Sequence, residues 1–470
     1  MSLRSSASRV RDRFDRVAGR RWVSHVLVAA SAILTATSLV RDHESSTGLS
    51  RLMLLATMLL AVVLALAWRR AVQGLPPALD RREVLALSAI LLILAVGGPV
   101  KRSRDVWSYT MYGREVSVHH VSPYTHLPAD FPDDPFLQRV APMWRRTGSV
   151  YGPLFTGYSA LSTGLAGNSA LANRLAFQGL AGVSVFMALL VLARRSVEPA
   201  AIACLGLHPL VVVYAVGGGH NDALVGLGVL GGVLLCSGRR AGWAGVVLGL
   251  AALVKIVAGL AVVALIVWLW SSRDAARRRS IGPLALGAGA TTLAGYLAAG
   301  GPSALGPLMK ASHNVGWASF WAPAHRVLAG TGLAPRVSTL AVVSVLVVAG
   351  VLMYRHRRDR EPELIVMGAL LAYQLCSAYV LVWYLLWVLP LGVIRWRTLT
   401  GQVLLAYATV ILFASSYHPD PHERLEDILF KSGGLLHVGA LAMAAALVVG
   451  AILGRPRRPA RPVGVSAPGP

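Results

Sequence analysis

Leu91-Leu92-Ile93-Leu94-Ala95-Val96, followed by Lys101-Arg102-Ser103-Arg104-Asp105-Val106-Trp107, is the stretch on which the reading of this chain turns. An apolar run suited to a bilayer stops there. The sequence does not become apolar again until Tyr151-Gly152-Pro153-Leu154. In between lie Tyr109, Tyr112-Gly113-Arg114, Ser122-Pro123-Tyr124-Thr125-His126, Asp133-Asp134-Pro135 and Trp144-Arg145-Arg146. Roughly fifty residues is far more than a connector needs, since most connections take about 4–6. A long insert of arginine, aromatics, proline and acid between membrane runs reads as a working loop, and the rest of the chain as its scaffold.

Outward from that stretch, composition sets the class. The chain has 470 residues, 55% hydrophobic and 14% charged, with a mean hydropathy of +0.60. A soluble domain carries about 25% charged residues. Apolar runs of about 17–21 residues recur, the length that crosses a hydrocarbon core of about 30 Å. The expectation is an all-α polytopic membrane protein with about fourteen transmembrane helices. They are placed near residues 22–40, 52–68, 84–100, 175–193, 199–216, 222–236, 241–254, 256–270, 281–299, 338–354, 363–378, 380–394, 401–416 and 433–453.

The net charge of +24 raises a nucleic-acid reading. The arginines argue against it, because they sit in short clusters between apolar runs, as cytoplasmic loops do. Residues 1–21 then form a basic cytoplasmic N-terminus, residues 22–453 a single membrane domain and residues 454–470 a disordered cytoplasmic tail. The apolar run Trp22–Val40 is too long for the core of a cleaved signal, which takes about 7–15 residues. Both termini are expected inside a multi-pass protein of the cell membrane, with loops 101–150 and 301–337 outside. Segment 151–167 is apolar enough to span, but that would invert the basic clusters after it, so it is read as a re-entrant or surface-lying helix. Cys204, Cys236 and Cys376 fall inside apolar runs, and neither a disulfide nor a metal site is expected from them.

Several residues could carry chemistry. Asp105, at the outer edge of a hydrophobic helix, is placed to take a proton from a hydroxyl; the alternative is a helix-end acid paired with Arg102 or Arg104. His220-Asn221-Asp222 follows Gly217-Gly218-Gly219, which permits a sharp, close-packed turn. Asp222 is either a site residue or the cap of the next helix. Lys255, the only lysine in a long apolar stretch, either holds a phosphate or snorkels to the headgroups. Arg326, with His325, Trp317 and Trp321, offers a phosphate grip or an interfacial belt. Trp383-Tyr384 and Trp387 are explained by an aromatic belt alone, and Asp133-Asp134-Pro135 reads as a turn. No Walker loop, zinc spacing or dinucleotide fingerprint is present.

In order along the chain, these residues resemble the GT-C glycosyltransferases. The match runs through Asp105 at the mouth of a span, Tyr112-Gly113, Ser122-Pro123-Tyr124 and Tyr151-Gly152-Pro153-Leu154. It continues through His208-Pro209-Leu210, His220-Asn221-Asp222-Ala223, Ala252-Leu253-Val254-Lys255 and Val382-Trp383-Tyr384-Leu385-Leu386-Trp387. Together, over roughly residues 85–395, they are similar to actinobacterial polyprenyl-phosphate-mannose-dependent α-mannosyltransferases of phosphatidylinositol mannosides and lipomannan. One departure is that two extra spans, 22–40 and 52–68, precede the one that carries Asp105.

The resemblance implies an inverting transfer of a sugar, mannose foremost and arabinofuranose as the alternative, from polyprenyl phosphate to a glycan or glycolipid hydroxyl on the outer face. It makes Asp105 the catalytic base. Lys255, Arg326, Arg102 and Arg104 become candidates for the donor phosphate. His220, Asn221, Asp222, Tyr109, Tyr112, Tyr124, Tyr151, Trp317, Trp383 and Tyr384 become candidates for substrate contacts. Protein cations could serve the phosphate leaving group, so no metal or other cofactor is expected. The partners are the lipid-linked donor, the acceptor and membrane lipids. A lipid-linked-sugar transporter is the rival reading, but no internal repeat is visible and the ionisable residues gather on one face rather than at mid-membrane.

Overall fold

The computed structural model describes residues 19–40, 46–100, 103–312, 314–316, 319–328 and 331–415. The predicted span 433–453, the tail 454–470, most of the N-terminal segment 1–21, and the candidates Arg102 and Trp317 lie outside the described residues. Every regular element among those described is helical, and the fold is a polytopic, all-α membrane fold.

Among the described residues, six helices are long and apolar enough to cross a membrane by length and composition: Arg21–Val40, Arg51–Val72, Ala170–Arg194, Pro199–Val216, Ala275–Ala298 and Arg336–His356. Five shorter apolar helices accompany them: Asp222–Ser237, Ala241–Ala252, Ile256–Trp270, Glu363–Cys376 and Leu399–Leu412. The short ones pair with long ones or with each other. Ala241–Ala252 packs on both Asp222–Ser237 and Ile281–Ala298, and Glu363–Cys376 packs on Ala334–His356. Their starts follow local chemistry. Asp80 accepts from the Arg82 amide ahead of Arg81–Gly97, and Ser169 accepts from the Ala172 amide ahead of Ala170–Arg194. The expected helices 22–40 and 52–68 are present, so three of the described long helices, Arg21–Val40, Ser46–Val72 and Arg81–Gly97, precede Asp105.

Two expected spans are interrupted. The run 199–216 holds a helix Pro199–Gly206 and a wider-wound π-helix Leu210–Val216, separated at His208-Pro209. Proline lacks an amide hydrogen and crowds the preceding turn. The predicted span 380–394 is not a continuous helix. It is a 3₁₀ segment Val382–Trp387 and a short helix Leu389–Ile394. Groups outside the run take the backbone at its start and just before it. The Gly316 amide donates to Ala378 O at 2.8 Å, Trp321 Nε1 to Cys376 O at 2.7 Å and Gln374 Nε2 to Tyr384 O at 2.7 Å. Such backbone is tolerated at membrane depth where protein buries it.

The long polar segment is partly helical. It opens with a helix Asp105–Ser117 and continues through short 3₁₀ turns at Pro128–Asp130, Leu137–Arg139 and Pro142–Trp144. The doubtful segment 151–167 forms a helix Pro153–Ala166, with proline at its first position, where the missing amide hydrogen has no partner to lose. It packs along Asp105–Ser117. Its 14 residues reach about 21 Å at 1.5 Å per residue, too short for the hydrocarbon core.

Candidate active site

Four stretches far apart in sequence meet around Asp105. The first is the opening turn of Asp105–Ser117. Asp105 is its first residue, with its amide donating to Ser103 Oγ at 3.1 Å and its side chain 16% exposed. One turn on, Tyr109 meets Tyr151 edge-on at 5.0 Å and Phe155 at 4.9 Å, which fixes this helix against Pro153–Ala166.

The second stretch is the turn Gly217-Gly218-Gly219. Gly219 has φ +65°, and a Cβ there would stand 2.6 Å from Val106 Cγ2. Only glycine tolerates both that dihedral and that approach. The turn delivers His220, wholly buried, onto the Trp383 ring with centroids 3.6 Å apart and planes 13° apart. His220 Nδ1 lies 3.5 Å from Asp105 Oδ2 and 3.5 Å from the Tyr109 hydroxyl.

The third stretch is the break before Lys255. The Gly152 amide donates to Val254 O and the Leu154 amide to Leu253 O, each at 3.0 Å. A Cβ on Gly152 would lie 2.3 Å from Leu253 O, so this docking requires glycine. It places Tyr151 with its ring centre 5.5 Å from Lys255 Nζ.

The fourth is Val382–Trp387. Trp387 Nε1 donates to Asp222 Oδ1 at 2.6 Å. Lys255 Nζ reaches both oxygens of the same carboxylate, at 2.8 and 2.9 Å. It also stands 4.5 Å from the centre of the Tyr384 ring and 5.6 Å from that of Trp387. Aromatic faces attract a cation through their quadrupole, and the carboxylate fixes where it sits.

The electrostatics of Asp105 and His220 follow from burial. Burial pushes the Asp105 carboxyl up to about 6, while the Lys255 charge and the Ser103 hydrogen bond pull partly against it. Burial first, and then the Lys255 charge, hold His220 well below the usual imidazole range, so its ring is neutral. With Asp105 ionised, a neutral ring protonated on Nδ1 donates to it and leaves Nε2 as a buried acceptor. No protein group among those described reaches His220 Nε2, nor either amide atom of Asn221. Asn221 is 1% exposed. Buried polar atoms are normally paired, and three unpaired ones beside a carboxylate of raised pKa mark a place for a polar ligand.

The sequence candidates divide cleanly. Asp105, Tyr109, Tyr151, His220, Asn221, Asp222, Lys255, Trp383 and Tyr384 converge. Tyr112 and Tyr124 stand one layer further out, where the Tyr112 hydroxyl donates to Thr147 O at 2.9 Å and that of Tyr124 to Tyr151 O at 3.1 Å. Arg104 is exposed and, among the described residues, does not pair with Asp105. Arg326 is exposed on the short helix Ala322–Val327 and makes no contact with this cluster. Asp222 does not cap its helix: Asn221 occupies the cap position, and the Asp222 carboxylate is the partner of Lys255 and Trp387.

Two features escaped the sequence reading. Trp387 is an indole donor to a buried acid rather than a belt residue. Asp134 is the centre of a buried knot rather than part of a plain turn. A cavity of about 470 Å³, lined by Leu60, Trp68, His208 and Leu405 among others, contains none of the converging residues. Its mostly apolar walls suit a lipid chain better than a reaction between polar groups.

A polytopic helical scaffold with an acid at the head of a long polar segment, facing a buried polar cluster, places the chain in the GT-C superfamily. Within it, residues 17–272 match the family described as Alpha-(1->6)-mannopyranosyltransferase, N-terminal domain, and the chain belongs to that family. It is 32% identical over 237 residues to Alpha-(1->6)-mannopyranosyltransferase A of Mycobacterium tuberculosis, covering 47% of this chain and 43% of that protein. It is 32% identical over 161 residues to the protein of the same name from Corynebacterium glutamicum, covering 33% of this chain and 32% of that protein. Each matched stretch therefore spans less than half of the relative.

Proposed function

We propose that this chain is an inverting glycosyltransferase that moves mannose from polyprenyl phosphate to a hydroxyl of a glycan or glycolipid acceptor on the outer face of the cell membrane. The observation that carries this reading is the Asp105 carboxylate, 3.5 Å from a neutral, buried His220 and beside three unpaired polar atoms. A carboxylate with a pKa of about 6 is mostly ionised at neutral pH and is a better proton acceptor than an ordinary one. It would take the acceptor's proton as the hydroxyl oxygen attacks the anomeric carbon. The bond from that carbon to the phosphate oxygen breaks on the opposite side, and the phosphate departs on its lipid.

The departing phosphate needs positive charge held in place beforehand. Lys255 supplies it within the cluster, with Asp222 and the Tyr151, Tyr384 and Trp387 rings fixing its position. Arg102, Arg104 and Arg326 remain candidates for the lipid-proximal side of the phosphate. Asn221 and His220 Nε2 offer hydrogen bonds to sugar hydroxyls. The basic clusters between spans support a topology with both termini in the cytoplasm and this cluster outside. The relatives' names supply the sugar and the α-(1→6) linkage in this reading.

The test is transfer itself. Purified protein in lipid is given decaprenyl-phosphate-mannose and a short mannoside acceptor, beside the Asp105→Asn variant. Product from the native chain alone supports both class and base. Normal turnover by the variant sinks the assignment of the base.

A further inference from the structure

We propose that the pocket between the two long polar segments is a phosphate-binding site for the headgroup of an anionic membrane lipid. It encloses about 350 Å³ and is bounded on one side by Tyr124, Thr125, Arg146 and Thr147, and on the other by Lys310 and Asn314. No carboxylate among the described residues lines it. Arg146 from one wall and Lys310 from the other have no partner among the described residues, and both are exposed. Two cations brought together from separate segments without an acid repel each other, and an anion between them relieves that repulsion.

The hydroxyls of the pocket are already engaged. Tyr124 donates to Tyr151 O and Thr156, Thr125 to Ser122 O and Thr147 to Met143 O. The donors left for a ligand are the guanidinium, the ammonium and the Asn314 amide. A guanidinium fork with a point-charge ammonium is the pairing that phosphate oxygens take well.

The lipid assignment comes from what flanks the cations. Met309, next to Lys310, is 67% exposed, and Met143, three residues before Arg146, is 64% exposed. Long apolar side chains beside a cationic pocket suit the boundary between headgroups and acyl chains. The pocket is also wired to the Asp105 cluster. Thr147 O accepts from Tyr112, and Tyr151 O accepts from Tyr124. A lipid seated here would steady the segment that carries Tyr151.

The test is hydrogen–deuterium exchange of the full chain in neutral detergent, read on peptides covering 142–149 and 306–312. Dihexanoylphosphatidylglycerol, dihexanoylphosphatidylcholine and inorganic phosphate are titrated separately. The proposal expects phosphatidylglycerol to protect both segments and phosphatidylcholine to leave them unchanged. In Arg146→Gln with Lys310→Gln, the concentration needed should rise roughly a hundredfold, about tenfold for each charge-assisted hydrogen bond removed. Both side chains are exposed, so the variant keeps its fold, and unchanged exchange elsewhere verifies that. Equal protection by phosphatidylcholine, or full protection in the double variant, overturns the site. Inorganic phosphate acting as strongly as the lipid overturns the lipid assignment. None of these readouts requires turnover, so they stand apart from the test of Asp105.

Discussion

Two acids lie in the same polar segment and live in opposite surroundings. Asp134 is saturated. It accepts from Arg114 Nε at 2.8 Å, from His119 Nε2 at 2.8 Å and from the Phe136 amide at 3.0 Å. Burial alone would raise its carboxyl, but the Phe136 amide, Arg114 and His119 outweigh that and hold it below the usual range. Asp105 is unsaturated: the His220 ring stands 3.5 Å from it, at the outer limit of a hydrogen bond, and its carboxyl is raised to about 6. An acid with every lone pair occupied holds a loop together and has no vacancy for a substrate proton. An acid left short of partners is destabilising in the resting fold, and that deficit is what a substrate hydroxyl can fill. The segment thus keeps its rigidity at one acid and its reactivity at the other.

The sharpest break of this contrast is at the reactive end. Asp105→Asn should lower sugar transfer by about 10²–10⁴-fold, the usual range for removal of a general base, with a melting temperature that is not lowered. Single-turnover assays beside thermal unfolding check both halves. At the saturated end, Arg114→Met strands Asp134 in a buried site. It should destabilise the protein by about 3–5 kcal/mol, read by chemical unfolding. If that variant unfolded like the native chain, the knot would not be structural. Trp387→Phe keeps an aromatic ring but removes the donor 2.6 Å from Asp222. A loss of about 1.5–3 kcal/mol is expected, with Lys255 less firmly held.

Two pH profiles separate the acids further. Transfer should fall as pH drops through about 6, because Asp105 must be ionised to accept a proton. A profile with no limb near that pH would point to a different base. Glu115 gives a stability profile of the opposite kind. It is fully buried, neither carboxylate oxygen has a partner among the described residues, and burial followed by the Asp130 and Asp134 charges raises it to about 9. Its folded pKa lies above its unfolded value, so its contribution to stability is full below about 4.5 and is lost as pH rises through about 9. Glu115→Gln should flatten the dependence of the melting temperature on pH across that window.

The positions of most helices were legible in the chain because hydropathy is a local sum over neighbours. Runs at 22–40, 222–236 and 281–299 correspond to helices Arg21–Val40, Asp222–Ser237 and Ile281–Ala298. The same local sum misread 380–394. Nothing within that run shows that Gln374 donates to the Tyr384 carbonyl or that Trp321 reaches Cys376 O. It also misread Asp134, whose partners His119 and Arg114 stand 15 and 20 residues upstream.

For the candidate site, residue type drew notice to Asp105, His220, Asp222 and Lys255, because an ionisable group at the edge of an apolar run is conspicuous by its desolvation cost; Asn221 and Tyr384 became candidates only through the order of motifs in the family resemblance. What each does was decided by contacts across the fold. Lys255 meets Asp222 across 33 residues and Trp387 meets Asp222 across 165, and those contacts turn a possible helix cap into the anchor of a cation. Arg326 has the right chemistry for a phosphate, but among the described residues no bond ties it to the cluster. The sequence by itself therefore determined a helical membrane scaffold and which groups are chemically able to react, since both depend on what a residue is and what its neighbours in the chain are. Only the tertiary structure decided which of those groups are already paired and which are left wanting, since hydrogen bonds act over about 3 Å and link segments that hydropathy treats as independent.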